Sequence, residues 1–174
     1  SQFRRGLQAE WDGDDLGFLG NEDQIQAVVD LALKELKGPQ GFGDQVIGHV
    51  VTGITFSLTL TFAECRIDTL AYLFPFFTLA GTTNKKMVIE VPDNIDLYDY
   101  ALPLELKTLT GRLTVDTDEN YWMNFLKAVP NPKNINAWSF TQNSLWTAEW
   151  FFYPDKTAGT TFMQLGYWGY ATST

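Results

Sequence analysis

The clearest pattern along the chain is an alternation. Ile54, Phe56, Leu58, Leu60 and Phe62 are interleaved with Thr55, Ser57, Thr59 and Thr61. A period of two is the signature of a strand with two different faces, here one apolar and one hydroxyl-bearing. The strand is predicted from about His49 to Phe62, with Phe56, Leu58 and Leu60 as core candidates. Next, Ile67, Leu70, Ala71 and Phe74 fall on one helical face, and Pro75 ends the element, which predicts a helix over 64–74 with Leu70 in the core. The remainder reads as strands over 86–91, 104–115 (or a pair broken at Gly111), 121–128, 145–153 and 161–170. The 145–153 run sets Trp146, Ala148, Trp150 and Phe152 on one face, with Trp150 a further core candidate.

Residues 25–37 carry two patterns at once. Ile25, Val28, Val29, Ala32, Leu33 and Leu36 share a helical face, whereas Ile25, Ala27, Val29, Leu31 and Leu33 alternate as in a strand. Local pattern alone favours a helix, ended by Gly38-Pro39. Residues 1–24 read as an acidic N-terminal arm. Six carboxylates lie between Glu10 and Asp23. Gly13, Gly17 and Gly20 interrupt any helix, while Trp11, Leu16, Phe18 and Leu19 offer anchors. The expected organisation is this arm followed by one body over 25–174. The expected class is mainly β, a sandwich or barrel with one packed α-helix.

Composition narrows the function. The chain has 174 residues, 45% hydrophobic and 15% aromatic, with a formal net charge of −9. That apolar content excludes a largely disordered acidic chain. The acidity argues against a surface that clamps nucleic acid, which needs clustered Lys and Arg. One cysteine, Cys65, allows no intrachain disulfide and fits a reducing compartment. Ser1–Gly6 is followed by no apolar stretch, so no signal peptide is expected there. The longest apolar run, near 71–77, is too short to span a membrane.

Candidate chemistry is sparse. His49 is the only histidine, and no Gly-x-Ser-x-Gly elbow accompanies it; a structural role is the expectation. Cys65 reads as an inert thiol. Asp12-Gly13-Asp14-Asp15 and Asp116-Thr117-Asp118-Glu119 match no spaced calcium loop and read as solvated turns. No catalytic residue, metal or cofactor is expected, and a hydrolase with an unrecognised carboxylate pair is the least favoured class. Trp146 and Trp150 on one strand face leave open a carbohydrate-binding sandwich, an adhesion module, although such a row is more often core or subunit interface.

Three segments, taken in order, resemble the major tail tube proteins of tailed bacteriophages. They are Gly43-Asp44-Gln45-Val46-Ile47-Gly48-His49-Val50-Val51-Thr52-Gly53, followed by the alternating strand and Ala63-Glu64; Phe125-Leu126-Lys127-Ala128-Val129-Pro130; and Trp146-Thr147-Ala148-Glu149-Trp150-Phe151-Phe152-Tyr153-Pro154-Asp155. The resemblance spans roughly 25–170. It implies a strand rather than a helix over 25–37. It implies a structural protein of the virion, assembled in the bacterial cytoplasm, whose homo-hexameric rings stack head-to-tail into a hollow tube. The implied partners are copies of itself, the tape measure protein and other tail proteins, with double-stranded DNA passing through unbound. Asp30, Glu35, Thr55, Ser57 and Thr59 become candidates for a neutral-to-acidic lumen. Trp11, Phe18, Phe42, Asp44, Asp93 and Tyr98, in the arm and the longer loops, become candidates for ring and stacking contacts.

Overall fold

The Trp11-Asp12-Gly13-Asp14 step decides how the chain begins. The computed structural model describes residues 7–19, 26–39, 45–62, 67–74, 77–90, 93–110, 114–133, 146–157 and 163–170. Asp12 and Gly13 both have positive φ, 53° and 81°, and Trp11 pairs with Asp14. That is a two-residue hairpin turn of the primed type, whose twist matches the flanking strands and which favours Asp-Gly. It joins β1 (Leu7–Trp11) to β2 (Asp14–Phe18). A bulge opposite Ala9 and Glu10 leaves Leu16 as the extra residue and gives Gly17 a φ of 97°. Leu16 is thereby buried with Ala9 and Trp11.

This hairpin is part of the body, which corrects the expectation of a separate arm over these residues. β1 pairs along its length with β7 (Leu102–Thr110). The antiparallel sheet then continues through β9 (Met123–Pro130), β10 (Trp146–Phe152) and β4 (Val46–Phe62) to β3 (Gln26–Lys37), in the order β2-β1-β7-β9-β10-β4-β3. Two short strands attach beside it: β8 (Thr114–Val115) on β7, and β11 (Gly166–Trp168) on β9. An isolated bridge between Leu19 and Phe62 also ties the residue after β2 to the end of β4. The fold is mainly β, built on one large antiparallel sheet.

The core lies against one face of this sheet. Leu58, Leu60, Phe62, Leu104, Leu106, Ala128, Ala148 and Trp150 are buried together with Trp11. Trp11 stands edge-on to Trp150 at 5.8 Å between ring centroids, and its indole N–H donates to the Ala128 carbonyl at 2.9 Å. Helix α1 (Ile67–Leu73) adds Leu73, and Phe74 follows it into the core. Tyr72 packs edge-on against Trp11 at 5.2 Å. A separate hairpin, β5 (Phe77–Ala80) with β6 (Lys86–Ile89), packs against α1, and Lys85 grips the Asp68 carboxylate at 2.8 Å. A single turn, α2 (Leu97–Tyr100), is capped by the Asp96 side chain.

The core candidates Leu58, Leu60 and Trp150 are buried, while Phe56 is half-buried at the core margin. The side chain of Leu70 lies outside the described residues. The 25–37 segment is a strand despite its helical lean. Its Leu, Ala, Lys and Glu favour a helix locally, but a ladder with β4 along the whole of β3 satisfies its backbone instead.

The same sheet provides an internal comparison. Leu60→Ala should lower stability by about 2–5 kcal/mol, the range for emptying a buried leucine site. Leu33→Ala, on an exposed stretch of β3, should stay within about 0.5 kcal/mol. Urea unfolding of dilute protein measures both.

Candidate functional site

The feature that sets this chain apart is where β3 and β4 go after leaving the core. β4 has 17 residues. Only its last part, Ser57–Phe62, pairs with β10. Before that, among the described residues, β4 has β3 alone, and together they form a two-stranded ribbon. All of Val28–Lys37 is exposed, and so is Val46–Thr55 apart from the half-buried Gly48. Yet the ribbon is aliphatic. Val28, Val29, Leu31, Leu33, Leu36, Val46, Ile47, Val50, Val51 and Ile54 are each 40–65% exposed.

The register assigns these side chains to two faces. Phe56 pairs with Val29, Ile54 with Leu31, and, past a bulge at Thr52, Val51 with Leu33. Directly opposed residues share a face, so these six continue the row begun by Leu58 and Leu60 on the core side. The Thr52 hydroxyl donates to the Ala32 carbonyl at 3.1 Å, holding the bulge. The other face carries Val28 opposite Ser57, Asp30 opposite Thr55, Ala32 opposite Gly53, and Lys34 opposite Val50.

This placement sorts the proposed lumen residues. Asp30, Thr55, Ser57 and Thr59 share the hydroxyl face; Asp30 and Thr55 are exposed, Ser57 and Thr59 half-buried. Further along that face the Thr61 and Thr147 hydroxyls meet at 3.1 Å. Glu35 is on the opposite face, paired with His49. The parity of a strand puts positions five apart on opposite sides, so Asp30 and Glu35 cannot line one surface. The ribbon also carries Lys34 and Lys37, which balance the two acids. The −9 of the chain resides elsewhere.

Of the proposed contact residues, Trp11 is corrected to core: it is 2% exposed. Phe18 is half-buried on the edge strand β2 opposite Gln8. Tyr98 is occupied within the chain, its ring under Lys156 Nζ at 4.2 Å and its hydroxyl accepting the Lys156 backbone N–H. Asp93 is exposed. Phe42 and Asp44 lie outside the described residues. The sequence reading missed the aliphatic face of the ribbon. Its signal was the run of valines and leucines on both sides of Gly38–Gly48, too apolar for strands left in water.

Elsewhere, several of the described polar groups are held within the fold. A cleft of about 290 Å³ is lined by Asp14, Asp15, Leu16, Asp68 and Tyr72. Asp68 is held by Lys85, and Asp15 accepts the Gly17 N–H at 2.7 Å. Among the described residues no group of three or more His, Cys, Asp or Glu side chains is arranged to hold a metal ion. Burial, and then Asp14, push the Tyr72 phenol up to about 12. On the other face of β1, burial pulls the Lys107 ammonium down, but Glu10 and Glu105 outweigh it and leave a net rise. No protein-family model matches this chain, and no curated protein is significantly similar to it.

Both raised groups give the same sign of pH dependence. Folding favours the protonated forms of Tyr72 and Lys107, so their contribution is complete below the ordinary tyrosine and lysine values and is lost as pH climbs through the raised ones. Stability should therefore fall above about pH 10. The alkaline loss should be smaller in Tyr72→Phe and in Lys107→Met, measured by urea unfolding from pH 8 to 12.

Proposed function

We infer that this chain is a structural, self-assembling protein, and that its assembly is the tube of a bacteriophage tail. The single observation that carries the reading is the ribbon. A lone two-stranded hairpin is marginal in water. An aliphatic one with unpaired edges is an aggregation hazard unless something covers it. Ten aliphatic side chains along the ribbon are 40–65% exposed, a concentration of apolar surface that marks an interaction site. Charge points the same way. Two copies of a strongly acidic protein repel least where their charges cancel, and the ribbon is the balanced part.

A cyclic arrangement removes the hazard. Rings, hexameric in the family that the sequence resembles, satisfy every ribbon with a neighbour, and stacking rings head-to-tail makes an open filament. The large sheet, closed on itself at Leu19 and Phe62, is read as the barrel body from which the ribbon projects. With the aliphatic row turned toward the protein wall, the hydroxyl face lines the bore. Asp30 and Lys34 cancel there, and Thr55, Ser57 and Thr59 hold water. Such a wall is neutral, so DNA is neither clamped nor strongly repelled.

The sugar-binding alternative rests on Trp146 and Trp150 forming a platform. Trp150 is fully buried, which takes away half of that surface.

The reading is tested by negative-stain microscopy and light scattering of concentrated protein. Rings or striated tubes are expected. Leu33→Glu with Val51→Glu should give a monomer whose unfolding free energy stays within about 0.5 kcal/mol of wild type, as for surface changes. A wild-type protein that stays monomeric at all concentrations and binds glycans would overturn it.

A further inference from the structure

β4 carries no Asp, Glu, Lys or Arg in its 17 residues, Val46–Phe62. Its one ionisable side chain is His49, which is also the only histidine of the chain. His49 lies on the ribbon and is exposed. Around it on the strand stand Val46, Ile47, Gly48, Val50 and Val51, so it is the one polar side chain of an aliphatic stretch.

The register fixes the face it occupies. His49 opposes Glu35, one pair beyond Val51 and Leu33. Opposed residues share a face, and so do alternate residues of a strand. His49 therefore extends the aliphatic row of Phe56, Ile54 and Val51. A second bulge, between Leu36 and Lys37, then brings Lys37 opposite Val46. The charged groups that share this face with the imidazole are Glu35 and Lys37, both from β3, and β4 adds none. β3 is the only element that pairs with this stretch of β4 among the described residues.

With a neutral imidazole, each face of the ribbon is balanced. Asp30 offsets Lys34 on the hydroxyl face, and Glu35 offsets Lys37 on the aliphatic one. Protonation leaves the hydroxyl face unchanged and makes the aliphatic face of every copy positive by one charge. Imidazole is the side chain whose charge ordinarily changes between pH 5 and 8. We propose that His49 is an acid-sensitive switch on assembly: copies associate through the ribbon while it is neutral and separate when it is protonated.

The sign follows from burial. An imidazolium taken out of water among valines and leucines loses solvation, and Glu35, with Lys37 two residues along the same face, does not restore it. Association therefore releases protons from the ribbon. It is strongest above the ordinary imidazole range and is lost as pH falls through that range. The rest of the chain pushes the other way. Acid reduces the magnitude of the −9 charge, and copies then repel less. Screening limits that repulsion to about 8 Å at physiological salt, so a charge inside the contact outweighs charges on the body. Because the two effects have opposite signs, experiment separates them.

This inference rests on the self-assembly reading and adds what controls it. Sedimentation and light scattering at pH 8 and pH 5 test it. By pH 5 the neutral fraction of an ordinary imidazole has fallen about thirty-fold. The concentration needed for assembly should accordingly rise by about ten-fold or more, and recover on return to pH 8. His49→Gln, neutral throughout, should assemble at pH 5 as readily as at pH 8. His49→Lys, charged throughout, should stay monomeric at pH 8 while melting like wild type when dilute, since an exposed side chain is exchanged. Wild-type assembly that is equal at the two pH values would overturn the switch while leaving self-assembly standing. So would His49→Gln losing assembly at pH 5 in step with wild type. Wild type and His49→Gln that stay monomeric at both pH values would overturn the switch and the self-assembly reading together.

Discussion

One strand has to satisfy two environments, and the rest of the molecule follows from how it does so. β4 is long enough to cross the core and continue well past it. In its inner part it has neighbours on both sides and a core beneath, and Leu58, Leu60 and Phe62 are sealed there. In its outer part the backbone still finds β3, but nothing among the described residues covers either face. A backbone ladder satisfies polar groups and leaves apolar side chains in water untouched. The valines and leucines of the outer part therefore make sense only when something else removes them from water. On the self-assembly reading, that something is a second copy.

Charge makes that assignment selective. A formal −9 on a chain of this size repels like chains and duplex DNA alike. The repulsion is screened beyond about 8 Å at physiological salt, so the local balance at a contact matters more than the total. On the ribbon two acids face two lysines. The acids of the body are partly committed: Glu10 and Glu105 to Lys107, Asp68 to Lys85. On the proposed reading, the charge-balanced ribbon is also where identical acidic chains repel least, and it carries the exposed aliphatic side chains.

The strands predicted over about 49–62, 121–128 and 145–153, seen as 46–62, 123–130 and 146–152, were legible because alternation marks a strand. The helix at Ile67–Leu73 was legible from its apolar face and the proline after it. The opening hairpin was legible too, through Asp12-Gly13 between alternating residues, but carboxylate density made it read as a solvated arm. Charge count describes what a segment shows to water; Ala9, Trp11 and Leu16 describe what it hides. The β3 segment misled for a different reason. Its residues favour a helix one by one, and only the register with β4 overrides that preference. Within the predicted 161–170 run, Gly166–Trp168 is a strand paired with β9 among the described residues. The parting of β4 from β10 beyond the Phe151–Ser57 pair was out of reach of the sequence, since it is a property of pairing and not of pattern.

On the proposed reading, a projecting ribbon serves as an assembly surface only if the body fixes its angle. The root of the ribbon is where this is set. Phe56 stacks on Phe125 at 5.5 Å and meets Phe152 at 5.2 Å, while Phe125 and Phe152 are 4.1 Å apart. These three rings sit where β4 leaves β10, so the root of the ribbon is anchored in one aromatic cluster. Farther out, the bulge at Thr52 adds local twist to a ribbon that would otherwise run flat. Downstream of the root, Phe62 is bridged to Leu19 and thereby to the opening hairpin. Load applied to the ribbon therefore enters β4 and is shared with the core strands instead of being taken up by a loose loop. If copies assemble through the ribbon as proposed, the packing of Phe56 against Phe125 and Phe152 is what would hold the angle between them, and a softer root would admit open spirals as readily as rings.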